Sequence, residues 1–419
     1  MPNKLAIYAS LFISVLLVLT GCSQQGPKVS VEKSLVIATL VPEYEETIKN
    51  VYSKGYDNDI KTKSVFPNSN DVPSHWDDID VVIDEYLKKN KDVDLVYGFT
   101  PDYLNGLVEK GSIKDLSALL DEALIEKIAT AILEPIKLAG EGAVYAVAPS
   151  FHDYVLVYNK DIFKEVGVDK PRNSMNWEEV STLAKEIQVK SNFKGITLGF
   201  PTSDHEFYYL YQNLSEPIGN FKNKKGKAIL NNELNRKYWK IFTNLYKDNL
   251  KVTGEEFVKG EVAMAVLPLS KLVDTKFLEF YGDFDKSQWG LVGMPIFEEN
   301  KGGLAFSDSL FSISKYSNND EAVKFLEYVQ GKEFAELLAN ASIFPSYWDG
   351  DMKKRLMKKH GYDFSPVYEQ PGALIDNAEF KGPKYNEIKS AGADYFVKYM
   401  NGKGNINNIL IEYENDVNK

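Results

Sequence analysis

Rings and hydrogen-bonding groups alternate in a few short stretches of this 419-residue chain. Phe151-His152-Asp153-Tyr154 sets two aromatic rings, an imidazole and a carboxylate side by side. Phe200-Pro201-Thr202-Ser203-Asp204-His205-Glu206-Phe207-Tyr208 repeats the mixture over a longer loop. Smaller cases are Tyr44, Tyr97-Gly98-Phe99, Phe306-Ser307-Asp308-Ser309, and Phe344 with Tyr347 and Trp348. An aromatic face packs on the C–H face of a sugar ring while polar side chains take its hydroxyls, so such mixtures suit a polyhydroxylated ligand. Each has a plainer alternative. His152 and Asp153 could pair with one another as a structural contact, Phe207 and Tyr208 could be the first core residues of a helix, and Trp348, beside Asp349-Gly350, could cap a surface turn.

Catalytic signatures are missing. The chain has no HExxH, GxSxG or Walker loop, and its histidines, His75, His152, His205 and His360, give little support to a multi-histidine metal site. Its single cysteine, Cys22, leaves no disulfide and no cysteine zinc site. No cofactor, metal or catalytic residue is expected. A glycoside-acting enzyme would need two carboxylates about 5–10 Å apart. Acidic residues are plentiful enough to keep that reading open, although Asp77, Asp78, Asp80, Asp84 and Glu85 read as the solvated face of a helix and its approach. A polyamine, which wants carboxylates and aromatic walls together, could be met by Asp153, Asp204 and Asp308.

The elements that must carry these groups alternate in type. Leu35-Val36-Ile37-Ala38-Thr39-Leu40 is an unbroken apolar run, the form of a strand buried on both faces. After Pro42, Tyr44, Ile48, Val51 and Tyr52 recur at close to a helical period. Lys63–Phe66 is a second strand, Val81–Leu87 a second helix and Asp94–Gly98 a third strand. Tyr44 thus follows the opening strand, and Phe99 ends the third, beside a glycine that lets a ligand approach the backbone.

The alternation returns further on. Trp177, Val180, Leu183, Ala184 and Ile187 line a helix that Asn176 and Glu179 open as a capping box. Gly195–Phe200 and Ala263–Leu267 are strands, so Asp204 and Tyr208 fall in the loop after one of them. Ala322, Phe325, Leu326 and Val329 face one side of a helix. Strands and helices at this spacing predict α/β units.

The N-terminus reads as a leader. Lys4 precedes sixteen uncharged residues, Leu5 to Thr20, short of the roughly 20 that a spanning helix needs. Leu19-Thr20-Gly21-Cys22 is similar to a bacterial lipobox, which makes residues 1–21 a signal peptide and Cys22 an acylated first residue; two acyl chains anchor a protein stably. Residues 22–32 are then a flexible tether. Loss of residues 1–21 leaves 398 of the 419, enough for two domains. Loss of Lys4 takes the net charge from −11 to −12, unattractive to nucleic acid or an anionic membrane surface.

One ordered set of segments carries a family resemblance. Tyr145-Ala146-Val147-Ala148-Pro149, Tyr154-Val155-Leu156-Val157-Tyr158-Asn159-Lys160-Asp161-Ile162-Phe163, Gly167-Val168-Asp169, Pro171 and Trp177-Glu178-Glu179 follow one another. Phe257–Met264, Gly293-Met294-Pro295 and Ser312-Ile313-Ser314 come after them in the expected order. Together they resemble the bacterial extracellular solute-binding proteins of family 1, the group that includes the maltose-binding proteins.

The resemblance implies a two-lobed periplasmic-binding-protein-like α/β fold of type II with a ligand cleft between the lobes. It places lobe 1 at 33–150 plus 300–332 and lobe 2 at 151–299 plus 333–419, with chain crossings near Ala148–Tyr154, Pro295–Leu304 and Gly331–Pro345. It puts Tyr44, Phe99, His152, Asp153, Tyr154, Asp204, Tyr208, Asp308 and Trp348 forward as ligand contacts. It implies a monomeric, non-enzymatic receptor of an ABC importer that faces outward from the cell membrane, held there by its lipid. The receptor would deliver a mono- or oligosaccharide to permease subunits, or signal to a membrane sensor. One departure bears on the ligand: sugar-binding members often follow the alanine-methionine strand with glycine and tryptophan, whereas Met264 here leads into Val266-Leu267-Pro268-Leu269-Ser270, with no ring.

Overall fold

The computed structural model describes residues 34–68, 79–201, 203–215, 222–224, 227–248, 252–298, 305–307, 309–372 and 385–419. The leader, Cys22, the tether, His75, Asp77, Asp78 and Asp308 lie outside the described residues. The strands in chain order are β1 (Leu35–Thr39), β2 (Ile60–Ser64), β3 (Leu95–Phe99), β4 (Tyr154–Asn159), β5 (Lys194–Leu198), β6 (Lys222–Lys224), β7 (Lys227–Ile229), β8 (Val262–Pro268), β9 (Trp289–Gly293) and β10 (Leu310–Ile313). The chain forms two compact units. One holds the stretch through Phe151 together with Phe306–Met352; the other holds His152–Ala305 and Lys353–Lys419.

The first unit is built on a sheet of order β10-β3-β1-β2. β1 runs parallel to β2 and β3, and β10 is antiparallel to β3. The apolar run that predicts a doubly covered strand is one: Leu35, Ile37 and Ala38 are fully buried. β2 begins at Ile60 rather than Lys63, because pairing with β1 sets its register from Leu35↔Ile60 to Thr39↔Ser64. Val65 and Phe66 still donate their N–H groups to Thr39 and Leu40. An aromatic seam of Tyr52, Tyr97, Phe311 and Phe325 packs on the sheet with centroids 4.3–5.7 Å apart.

Helix Ile79–Lys89 departs from its expected polarity. Ile79, Ile83 and Leu87 are buried as the period requires, but Asp80 and Asp84 are buried with them while Val81 is exposed. Asp80 meets Lys110 at 2.7 Å and packs where a Cβ on Gly106 would overlap its carboxylate. Asp84 accepts from Ser112 at 2.6 Å and from Lys88. These two carboxylates are therefore satisfied packing groups and not a solvated face.

The first unit also keeps more of the chain than the expected boundary at 332 allows. Helix Lys332–Asn340 stacks Phe334 on Tyr52 at 5.5 Å. Ser346 then donates its N–H to Pro149 and accepts from Ala129, and Trp348 donates to Lys127. Such hydrogen bonds fasten 332–348 to the first unit, so the last crossing falls at 352–353, inside helix Gly350–His360. The other crossings fall at 151–152 and 305–306.

In the second unit the sheet order is β5-β8-β4-β9, with β5 parallel to β8 and β4 antiparallel to both β8 and β9. Helix Trp177–Lys190 opens with the capping box read from sequence: Asn176 accepts from the Glu179 N–H and Glu179 from the Asn176 N–H, both at 2.8 Å. Its Trp177, Val180, Ala184 and Ile187 are buried beside Ile196, Met264 and Val266 in the main core. The C-terminal helices Tyr385–Met400 and Ile406–Val417 add Phe396, Leu410 and Tyr413 to that core.

Candidate functional site

Each unit presents a set of polar and aromatic groups at one end of its sheet. In the first unit these lie past the carboxyl ends of the parallel strands β1, β2 and β3, where ligands of open α/β sheets bind. Tyr44, in helix Pro42–Thr47, is half-buried. Its ring meets Tyr97 edge-on at 5.6 Å and lies flush on Gly98, where φ is +93° and a Cβ would overlap the ring. The glycine read as an opening for a ligand is thus filled by Tyr44 itself. Phe99 is 1% exposed and belongs to the core, because all five residues of this central strand are buried. It is not available to a ligand.

Two groups that sequence reading passed over stand at the same end. Thr100 precedes helix Pro101–Glu109 yet does not cap it, and its hydroxyl is buried with no hydrogen-bond partner among the described residues. Glu45 accepts from Thr62 at 2.8 Å and from Ser64. Ordinary loop composition hides both. Phe306, 39% exposed, precedes buried Ser307 and Ser309, and β10 then pairs Leu310 with Phe99. That pairing brings the Phe306–Ser309 stretch to the strand end, although Asp308 itself lies outside the described residues. Trp348 is half-buried and tied through its N–H to Lys127 at 2.7 Å. The following Asp349 accepts from the N–H groups of Asp351 and Met352, so the turn beside Trp348 starts a helix.

In the second unit, β4 begins where β8 ends, with Tyr154 opposite Pro268. His152 and Tyr154 are half-buried there. Asp153 is 4% exposed; its carboxylate takes the Tyr154 N–H at 2.7 Å instead of the His152 ring, and its carbonyl accepts from Leu269 at 2.9 Å. Burial drives its carboxyl up to about 8, with the Tyr154 N–H only partly opposing the rise.

The other loop resolves into structure. Asp204 starts helix Asp204–Ser215 and accepts from the Tyr246 hydroxyl at 3.0 Å, while burial and that carboxylate push the Tyr246 phenol up to about 12. Tyr208 is fully buried, packed on Phe396 at 5.3 Å and on Gly392, where a Cβ would overlap its hydroxyl. It is the core residue of the plainer alternative and not a ligand contact. His205 faces Asp394 at 3.1 Å on the surface.

The ring missing after Met264 has a partial counterpart. Phe200, just past β5, lies 5.6 Å from Tyr281 and 6.4 Å from Phe277, and the Lys271 ammonium sits 4.5 Å over the Phe277 ring. No local pattern links Phe200 to Phe277 in sequence. Among the described residues no group of three or more histidine, cysteine or acidic side chains could hold a metal ion, and no helix is long and apolar enough to cross a membrane.

These two α/β units, each with its polar and aromatic groups at one sheet end, are the architecture of a solute receptor. The sequence profile of the bacterial extracellular solute-binding proteins matches residues 83–336, and the chain belongs to that family. Among its relatives, a binding protein of Brucella abortus (strain 2308) is 22% identical over 74% of this chain and 75% of its own length. The arabinooligosaccharide-binding protein of Bacillus subtilis (strain 168) is 23% identical over 53% of each chain.

In structure, a sugar transporter protein of Rhizobium etli in an open conformation matches 92% of this chain and 99% of its own, with a TM-score of 0.59 at 18% identity. The sugar-binding protein MalE of Xanthomonas citri matches 92% and 96%, with a TM-score of 0.61 at 15% identity. The fold is thus the two-lobed α/β fold of periplasmic solute-binding proteins.

Proposed function

We propose that this protein is the carbohydrate receptor of an ABC importer, lipid-anchored through Cys22 on the outer face of the cell membrane. The family match over residues 83–336 carries the reading, and the arabinooligosaccharide-binding relative supports a sugar as its solute. The half-buried rings Tyr44 and Tyr154 and the exposed Phe306 supply stacking faces. Solute favours the conformation that binds it by its differential affinity, and the permease recognises that conformation. The solute is released intact, and the transporter's ATPase supplies the work.

Of the three carboxylates of the polyamine reading, Asp308 lies outside the described residues and the other two are engaged or buried. Asp204 is engaged by Tyr246, and Asp153 is buried without a cation. For hydrolysis, the acidic residues Asp80 and Asp84 are absorbed by Lys110, Lys88 and Ser112.

Calorimetric titration with arabinotriose, maltotriose and spermidine tests the proposal. Binding of a sugar that is recovered unchanged is the expected result. Binding of spermidine alone, or consumption of either sugar, overturns it.

A further inference from the structure

On three other helical stretches a lysine is paired with an acid one turn before it: Lys88 with Asp84, Lys190 with Glu186 and Lys259 with Glu255. Helix Gly350–His360 departs from that arrangement. Its 11 residues hold Lys353, Lys354, Arg355, Lys358 and Lys359 against one acid, Asp351, which Lys332 engages at 2.6 Å. Lys354 precedes Lys358 by one turn and Arg355 precedes Lys359, so cation stands over cation, a spacing that weakens a helix. The negative C-terminal end of the helix dipole favours Lys358 and Lys359, but its influence fades within the last turn and does not account for Lys353, Lys354 and Arg355. Met352, Leu356 and His360 are buried, which turns Lys354, Met357 and Lys358 outward. All three are exposed, Met357 by 50%. At the flank, Lys353 meets Asp363 at 3.4 Å. Positive charge continues onto the next element: the His360 imidazole is held down to about 4, by burial first and then by Lys359 and by Lys286 of the stretch Lys286–Gln288. From Lys353 onward the helix belongs to the second unit. That unit thus carries a basic patch with an exposed methionine in its middle, on a chain whose net charge is −11.

We infer that the outward face of this helix, Lys354, Met357 and Lys358 with their basic flanks, is a docking surface for the outward-facing side of the importer's permease. The inference rests on the receptor reading above and deepens it by naming the surface. Membrane proteins concentrate lysine and arginine in their cytoplasmic loops, which leaves the outward loops poor in them. A cationic helix meets no like charge there, and complementary charge speeds encounter and fixes the register of docking. Met357 adds an unbranched apolar contact that adapts to the partner's shape. An anionic lipid surface suits the patch less well, because the negative charge of the chain as a whole opposes its approach.

Photo-crosslinking in the native cells tests the inference on the full chain, with benzoylphenylalanine in place of Met357. The expected product is a covalent adduct with an integral membrane subunit of an ABC importer, identified by mass spectrometry. Adding Lys354→Glu and Lys358→Glu together lowers the adduct yield about tenfold. The same change of charge at two exposed lysines elsewhere, Lys240→Glu with Lys403→Glu, leaves the yield as it was. Thermal melts of both double variants match the parent, since the replaced side chains are exposed. Equal yields from the two double variants overturn the inference. An adduct with phospholipid alone, or none, while formaldehyde cross-linking of the wild-type chain recovers a permease subunit, overturns it and leaves the receptor reading intact. Failure of both routes to recover a permease subunit overturns both.

Discussion

A buried acid makes stability depend on pH, and the sign follows from where its proton goes. The Asp153 carboxyl is raised from its ordinary 3.8 to about 8 in the folded chain. Between those values the folded state holds a proton that the unfolded state has released, so stability declines as pH rises from about 4 and levels off above about 8. Asp153→Asn needs no proton, and its side-chain oxygen can still accept the Tyr154 N–H. Its advantage over the parent should therefore grow from pH 5 to pH 8 by on the order of a few kcal/mol. Urea unfolding of both chains at the two pH values checks this; a difference that stays constant would mean the carboxyl is ionised in the fold.

At the same scale, Tyr208→Ala should lower stability by about 3–5 kcal/mol, as aromatic deletions from a core do. Tyr44→Ala, at a half-buried ring, should act mainly on solute affinity. Thermal melts alongside calorimetry distinguish the two. Residue types made Tyr44, Phe99, Tyr154 and Tyr208 equivalent candidates in sequence, because a ring reads the same whether it faces a core or a ligand. The pairing partners divide them: Phe99 is sealed within a central strand, and Tyr208 falls on the inward side of a helix.

Elements were the most legible level, since their signals are local. The capping box at Asn176 and Glu179 needs only a three-residue spacing, and it forms as read. Asn176→Ala leaves the Glu179 N–H without its partner and should cost about 1 kcal/mol, measurable as a shift in the urea midpoint. The β2 register and the inward turn of Asp80 and Asp84 were illegible for the opposite reason. Register depends on pairing with β1, and the two acids are turned in by Lys110, Ser112 and the space above Gly106, none of which lies in their own helix. An acidic run with an i,i+4 lysine looks solvated until a distant segment covers it.

At the scale of the whole molecule, the last crossing shows how far family order can carry. The ordered motifs from Tyr145 to Ser314 lead to the family and its fold, yet the chain leaves the first unit only at Met352. Backbone hydrogen bonds of Ser346 and Trp348 with Pro149, Ala129 and Lys127 decide that boundary, and backbone hydrogen bonds leave little mark in side-chain sequence.

The proposed lipid anchor at Cys22 is a property that belongs to the molecule as a whole. With Cys22 diacylated, each buried CH₂ contributes about 0.8 kcal/mol to membrane attachment, so the anchored protein stays with the cell envelope. The chain after residue 21 has a net charge of −12, 48 basic against 60 acidic residues, which attracts no anionic membrane surface, and no helix among the described residues is long and apolar enough to cross a membrane. Cys22→Ser should therefore move most of the protein from the membrane pellet to the soluble or uncleaved-precursor fraction. It should leave solute affinity unchanged, since Cys22 lies before the first described strand. Mass spectrometry of the wild-type N-terminal peptide carries the complementary expectation of two acyl chains on Cys22. An unmodified cysteine in a membrane-bound protein would instead assign attachment to a retained apolar leader, and the soluble fraction would then be insensitive to the substitution.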